Sequence, residues 1–266
     1  MILKSRSILT ITQAEKKRIR LLRTRKGRKS EKRFAAEGIR LLEESLRNKF
    51  LPVKLYYAES LLTDRGRWLV NQFKKEKVSL RKILAKEISA VSDANTSQGI
   101  LGLFNIPQLK PGMVFKKGRR LLLLDNISDP GNAGTLFRSA LAFGFDAVIL
   151  TNNSVDPFNP KVVRSSAGAI FGFPIITATS EEILRFQKND RFKLIVADMN
   201  GIDLHSEKSN IRNFSRLILV LGSEAEGISD YISSKADIRV KIGHTAKVDS
   251  LNVAVAGSII MKELYI

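Results

Sequence analysis

The residues of this chain that could do chemistry sit mostly in loops. Glu224 and Glu226 follow Gly222 within Leu-Gly-Ser-Glu-Ala-Glu-Gly. Two carboxylates in a tight loop can bind a cation or position a basic group; taken alone they read as an exposed acidic turn. Ser250 and Asn252 stand just ahead of an apolar run that ends at Met261. They offer a hydroxyl and an amide to a ligand, and in isolation they read equally as helix N-cap residues. The stretch Asp-Asn-Ile-Ser-Asp-Pro-Gly-Asn-Ala-Gly, starting at Asp125, is a polar loop between a buried run and a helix. Such a loop can present backbone N–H groups to an anion. It carries neither the Gly-Lys-Ser/Thr of a P-loop nor the GxGxxG of a dinucleotide site. Arg138 lies about one turn into the following helix, within reach of that loop. By spacing alone it is an ordinary arginine on a solvated face. His244 could titrate near neutral pH, although in its loop it reads as incidental. The chain has no cysteine and only two histidines. Disulfides, thiolate metal sites and cysteine nucleophiles are excluded, and neither a zinc site nor a histidine-based triad is expected.

The elements around these loops point to an α/β fold. Leu217 to Leu221 reads as a buried strand that breaks at Gly222, and "IRVKI" from Ile238 to Ile242 reads as another. In an open α/β sheet, ligands bind outside the carboxyl ends of strands, so a ligand is expected on the two loops that follow. From residue 120 onward, apolar runs of strand length alternate with helical patterns, which predicts a parallel sheet. Residues 31–107 read as a smaller α/β unit. It opens with one helix through "EKRFAAEGIRLLEESLRN", and Trp68, the chain's one tryptophan, reads as packed in its core rather than stacked on a base. Residues 108–119, with their prolines and glycines, read as a linker. The expected boundaries are therefore a basic segment over 1–30, a nucleic-acid-binding unit over 31–107, the linker, and a ligand-binding unit over 120–266.

Charge divides the chain the same way. The net charge is +19; residues 1–119 carry 29 Lys/Arg against 10 Asp/Glu, and residues 120–266 carry 16 of each. A solubilising surface would mix its charges, whereas a polyanion-binding module joined to a neutral one would look like this. Arg23, Arg25, Lys26, Arg28 and Lys29 form the densest part of the run and are expected to meet phosphates. No apolar run approaches the length of a membrane span. The absence of cysteine fits a reducing, cytoplasmic compartment; a mitochondrial presequence is the lesser alternative for the basic N-terminus. Residue chemistry alone thus gives a basic RNA- or DNA-binding module joined to a ligand-binding α/β module, without naming a reaction.

Taken together, the loops resemble the SpoU (TrmH-type) RNA ribose 2′-O-methyltransferases of the SPOUT superfamily. "LLLLDNISDPGNAGTLFRSALAFGFDAVIL" is similar to that family's first motif, with Asn132 and Arg138 in place. "LILVLGSEAEGIS" resembles the second, with Gly222, Glu224 and Gly227, and "VDSLNVAVAGSI" the third, with Ser250, Leu251 and Asn252. The N-terminal part resembles the small ribosomal-protein-like RNA-binding domain found in many members. The resemblance implies a C-terminal SPOUT α/β domain with a deep trefoil knot. It implies S-adenosylmethionine held on backbone groups around Leu221, Gly222, Ile242 and Leu251, with no metal. It implies a homodimer whose active site is completed across the interface, and structured RNA, most of all ribosomal RNA, as substrate; transfer RNA or a non-catalytic assembly role are the alternatives. Arg138 would stand at the general-base position, either taking that role or binding the phosphate and stabilising the developing alkoxide; Asn132 and Glu224 would orient it, with Ser250 and Asn252 holding the ribose or the cofactor loop. One departure stands out: where the family usually has Ile-Pro-Met and then Gly, this chain has Ile242-Gly243-His244 and Ala246. Losing the proline removes a conformational restriction from that loop.

Overall fold

The computed structural model describes residues 10–94, 96–223, 226–245 and 247–265. The chain divides into two units. One runs through Pro107 and takes in Phe158–Gly172; the other comprises Gln108–Pro157 and the chain from Phe173.

In the first unit, helix α1 (Gln13–Leu21) starts at a capping box in which Thr12 and Glu15 satisfy each other's amides. Glu15 also meets Lys54 Nζ at 2.8 Å. That hydrogen bond from Lys54 is the main reason its carboxyl is held down to about 2. Helix α2 (Arg25–Glu31) leads into strand β1 (Arg33–Glu37), helix α3 (Ile39–Arg47) and strand β2 (Lys54–Tyr57). Helix α4 (Asp64–Lys75), strand β3 (Ser79–Lys82), helix α5 (Ala85–Val91) and strand β4 (Ile100–Asn105) complete the α/β pattern. The sheet order is β1-β4-β2-β3.

Two expectations are corrected here. Residues 33–37, read as the start of a helix, form β1, whose side chains alternate in burial and which pairs antiparallel with β4 from Arg33↔Asn105 to Glu37↔Leu101. Cross-strand pairing overrides the helical propensity of Ala35, Ala36 and Glu37. Gly38, at φ 102°, makes the turn into α3 that a side chain would strain. Trp68, expected in the core, is 52% exposed on α4.

The second unit opens inside the expected linker. Pro111–Lys117 forms helix α6, with the proline in its first turn and Phe115 fully buried. Then come strand β5 (Arg120–Asp125), helix α7 (Pro130–Ala142) and strand β6 (Ala147–Thr151). The short helix α8 (Pro160–Ser165) belongs to the first unit. Strand β7 (Ile175–Ala178), helix α9 (Ser180–Asn189), strand β8 (Lys193–Asp203) and helix α10 (Leu204–Arg212) follow. Strand β9 (Leu217–Gly222), helix α11 (Asp230–Ser233), strand β10 (Ile238–Lys241) and helix α12 (Val253–Leu264) close the fold. All neighbours are parallel in the order β10-β8-β9-β5-β6-β7. The apolar runs of β5 and β9 lie at the centre, buried on both faces. Alternate residues such as Leu121, Leu123, Ile218 and Val220 pack with α6, α9 and α11. On the opposite face, α12 comes so close that a Cβ on Gly257 would lie 2.4 Å from Leu221 and 2.6 Å from Leu136.

Candidate functional site

Strand order reverses between β5 and β9: the chain runs outward through β6 and β7, then returns to β8 and inserts β9 beside β5. Such a switch opens a crevice at the carboxyl ends of the strands. Asp125 and Gly222, the last residues of β5 and β9, pair in register there. Asp125 is buried, and its Oδ2 accepts from the Ser229 amide at 2.8 Å. The loop after β9 is thereby tied back onto β5. It also closes on itself through paired bonds between Ser223 and Gly227. Gly222 lies against this turn, where a Cβ would fall 2.3 Å from the Gly227 carbonyl carbon. The site therefore needs glycine at 222 for space and at 227 for its φ of 69°. Glu224 lies outside the described residues.

Beyond these strand ends is a cleft of about 910 Å³ within the second unit. Leu221, Gly222, Ile242, Ser250 and Leu251, expected at the site from the sequence, all line it. The loops after β9 and β10 and the turn before α12 converge there, although up to 30 positions separate them in the chain. Glu226 lines the cleft as well, and His244 stands at its rim with Nδ1 3.0 Å from the Thr245 carbonyl oxygen.

Sequence reading missed one wall. Strand β8 pairs with β10 through Val196↔Arg239 and resumes at Ile202↔Val240, so residues 197–201 bulge out of the ladder. Asp198, Met199 and Asn200 on this excursion line the cleft, and Met199 is 58% exposed. Its base is stapled by Arg239, which donates to Asp198 Oδ2 at 2.9 Å, Ser233 Oγ at 2.6 Å and the Ser233 carbonyl at 2.7 Å. Gly201 fits because a Cβ would lie 2.6 Å from the Arg239 carbonyl carbon. Glycine inside a strand pattern was the available signal for a bulge.

Beside the strand ends, α7 and α12 present their N-termini together. Asp129 caps α7 by accepting from the Asn132 amide at 2.7 Å. Asn252 caps α12, its Oδ1 accepting from Ala254 and Val255, while its Nδ2 donates to Asn132 Oδ1 at 3.1 Å. About two turns further along, the hydroxyls of Ser139 and Ser258 meet at 2.6 Å. The two helices therefore run parallel, with Asn132 and Asn252 fixed to each other at one end. Arg138 is not brought to this pair. It is exposed, about 9 Å along α7 from Asn132 and about 120° around it, and meets no partner among the described residues.

The expected phosphate-facing cations of the first unit divide. Arg25, Lys26 and Lys29 are exposed. Arg28 is a correction: it is 2% exposed, and its Nη1 donates to the Leu22 carbonyl at 2.7 Å, so no phosphate reaches it. Arg23 spends its donors on the Val91 and Ser92 carbonyls at the end of α5, where a cation also complements the helix dipole. Among the described residues no cluster of side chains is arranged to hold a metal ion.

Comparison with known proteins fits this geometry. A model described as the SpoU rRNA Methylase family matches residues 119–262, and an MRM3-like substrate binding domain matches residues 14–102. The 23S rRNA (guanosine(2553)-2′-O)-methyltransferase RlmP of Bacillus subtilis is 29% identical, across 91% of this chain and 92% of its own. An uncharacterized tRNA/rRNA methyltransferase of Mycoplasma genitalium is 30% identical, across 84% of this chain and 88% of its own. The crystal structure of an AdoMet-bound rRNA methyltransferase from Sinorhizobium meliloti superposes with a TM-score of 0.82 at 25% identity, covering 97% of this chain and 96% of that one. The matched residues 119–262 make up more than half of the chain, and the chain belongs to the SpoU rRNA methylase family.

Proposed function

We propose that this protein transfers a methyl group from S-adenosylmethionine to a ribose 2′-OH of structured RNA, with large-subunit ribosomal RNA as the substrate. The observation that carries this is the convergence of the loops after β9 and β10 with Ser250–Leu251 on one cleft. The cleft suits the cofactor. It falls within the size range of small-molecule sites, and apolar Leu221, Ile242 and Leu251 line it, where they can meet a purine. The carboxylates of Glu226 and Asp230 line it too and can meet an amino group. When bound, the cofactor supplies an electrophilic methyl on a sulfonium sulfur. The knot implied by the family would hold these loops taut where Gly243 replaces proline.

The protein's own contribution is alignment and charge stabilisation. The Asn132–Asn252 bond fixes two amides at the joined helix ends, where they can orient the ribose. A guanidinium is not deprotonated in proteins. Arg138 therefore serves by binding the RNA phosphate and stabilising the negative charge that develops on the 2′-oxygen, while the proton leaves to a phosphate oxygen or water. Its outward position has a reason in this reading. Leu141, Val255 and Ile259 are exposed on the same two helices at 39%, 49% and 38%. A second copy covering that apolar surface would bring Arg138 of one protomer to the cleft of the other. The exposed cations of the first unit would select the RNA. No helix among the described residues is long and apolar enough to cross a membrane. The cysteine-free composition fits a reducing compartment, and on that ground we assign the protein to the cytoplasm.

Calorimetric titration with S-adenosylmethionine, alone and with RNA present, is expected to give about one site per chain. No binding in either condition, by a folded dimer, would leave only a non-catalytic RNA-binding role. Labelled-methyl incorporation into separated rRNA and tRNA pools then decides the substrate. Arg138→Ala is expected to bind the cofactor normally and lose turnover; near-normal activity removes Arg138 from the chemistry.

A further inference from the structure

Trp68 is the chain's one tryptophan, and it faces solvent. Helix α4 buries Gly66, Leu69, Val70 and Phe73. At 100° per residue, Trp68 falls on the opposite side together with Asp64, Asn71 and Lys75. Among the described residues its ring has no aromatic or cation partner and its indole N–H has no acceptor. The helix carries Arg65, Arg67, Lys74 and Lys75 against Asp64 alone. Asp64 is engaged by Arg67 at 3.1 Å, while Lys74 and Lys75 have no acidic partner among the described residues.

We propose that Trp68 is a stacking platform for an unpaired base of the RNA substrate, with Lys74 and Lys75 on the adjoining phosphates. This rests on the RNA-binding reading of the first unit. The neighbourhood favours a base over a protein partner. The indole stands among Asp64, Asn71 and Lys75 rather than in a contiguous apolar patch of the size protein docking uses. A single flat ring beside free cations matches what a splayed base and its phosphates require. Bases within a duplex are already stacked, so the partner is a loop, bulge or single-stranded end.

Because no other tryptophan is present, emission excited at the red edge of tryptophan absorption, where the four tyrosines do not absorb, reports this site alone. The full-length protein is titrated with a hairpin RNA bearing a single-stranded loop and with a blunt duplex of the same stem. Affinities are read separately from the anisotropy of the labelled RNA. The hairpin is expected to quench Trp68 emission more strongly than the duplex. Trp68→Ala should weaken hairpin binding roughly ten- to a hundredfold and leave the salt slope unchanged, with Trp68→Phe falling between. Salt-dependent hairpin binding with unchanged emission, and equal affinity in Trp68→Ala, overturns the stacking role while the RNA-binding reading stands. A wild-type protein that binds neither RNA at low salt overturns both.

Discussion

A single amide at the head of α12 does two separable things. The oxygen of Asn252 caps the helix, and its nitrogen reaches Asn132, 120 positions earlier. The cap was legible in Ser-Leu-Asn ahead of an apolar run. The bond to Asn132 was not, because it exists only once α7 and α12 lie parallel. Serine keeps a capping oxygen but its side chain is too short to reach Asn132, so Asn252→Ser tests the second function alone. It is expected to unfold close to wild type while methyl transfer falls roughly tenfold, the worth of one hydrogen bond at the reacting geometry. Asn252→Ala loses both functions and costs about 1 kcal/mol of stability besides. Wild-type turnover in Asn252→Ser, measured by labelled-methyl incorporation, would remove the pair from the site.

Elements were readable where one pattern dominated. The continuous apolar runs of β5 and β9 admit little but buried parallel strands, and both are found. Reading failed where tertiary pairing decided the outcome. Strand β1 contains residues as suited to a helix, and α6 hides in a segment whose Pro and Gly signal a loop, although its Phe115 is core. The excursion at 197–201 was signalled only by Gly201 inside a strand pattern; its extent is defined by the partner strand β10. Packing between elements also ties stability to the site. Gly257 lets α12 approach β9, and the side chain it would strike, Leu221, also lines the cleft. Gly257→Ala must displace Leu221 or Leu136, and overpacking of this kind costs about 1–3 kcal/mol. Denaturant unfolding should show that loss, and cofactor titration should show weaker binding as Leu221 moves into the cleft. Unchanged values in both would mean that the two leucines reorient freely and that this contact does not set the cleft's shape.

For the molecule as a whole, the proposed functions divide along the chain as charge does. The uneven balance can be counted without any fold, and it is the reason for proposing a polyanion-binding role within residues 1–119. Which cations do the binding cannot be counted, because a folded unit also uses arginine internally. Arg28 is enclosed against a backbone carbonyl, and Arg23 caps α5, while Arg25, Lys26 and Lys29 project outward. Two variants separate these uses. Replacing Arg25, Lys26 and Lys29 together by glutamine leaves the core untouched. If all three meet phosphates, it should lower the slope of log affinity against log salt by about 2 to 3, each contact contributing roughly 0.7 on a single strand and 0.9 on a duplex. Arg28→Gln should act oppositely, costing about 1–3 kcal/mol of folding stability through a buried bond left unmade while the slope stays where it was. RNA binding measured across a salt series, alongside thermal unfolding of each variant, distinguishes the outcomes. A flattened slope in Arg28→Gln with normal stability would mean that the helix pair opens on RNA and turns Arg28 outward. An unchanged slope in the triple variant would move the phosphate footprint off these three residues.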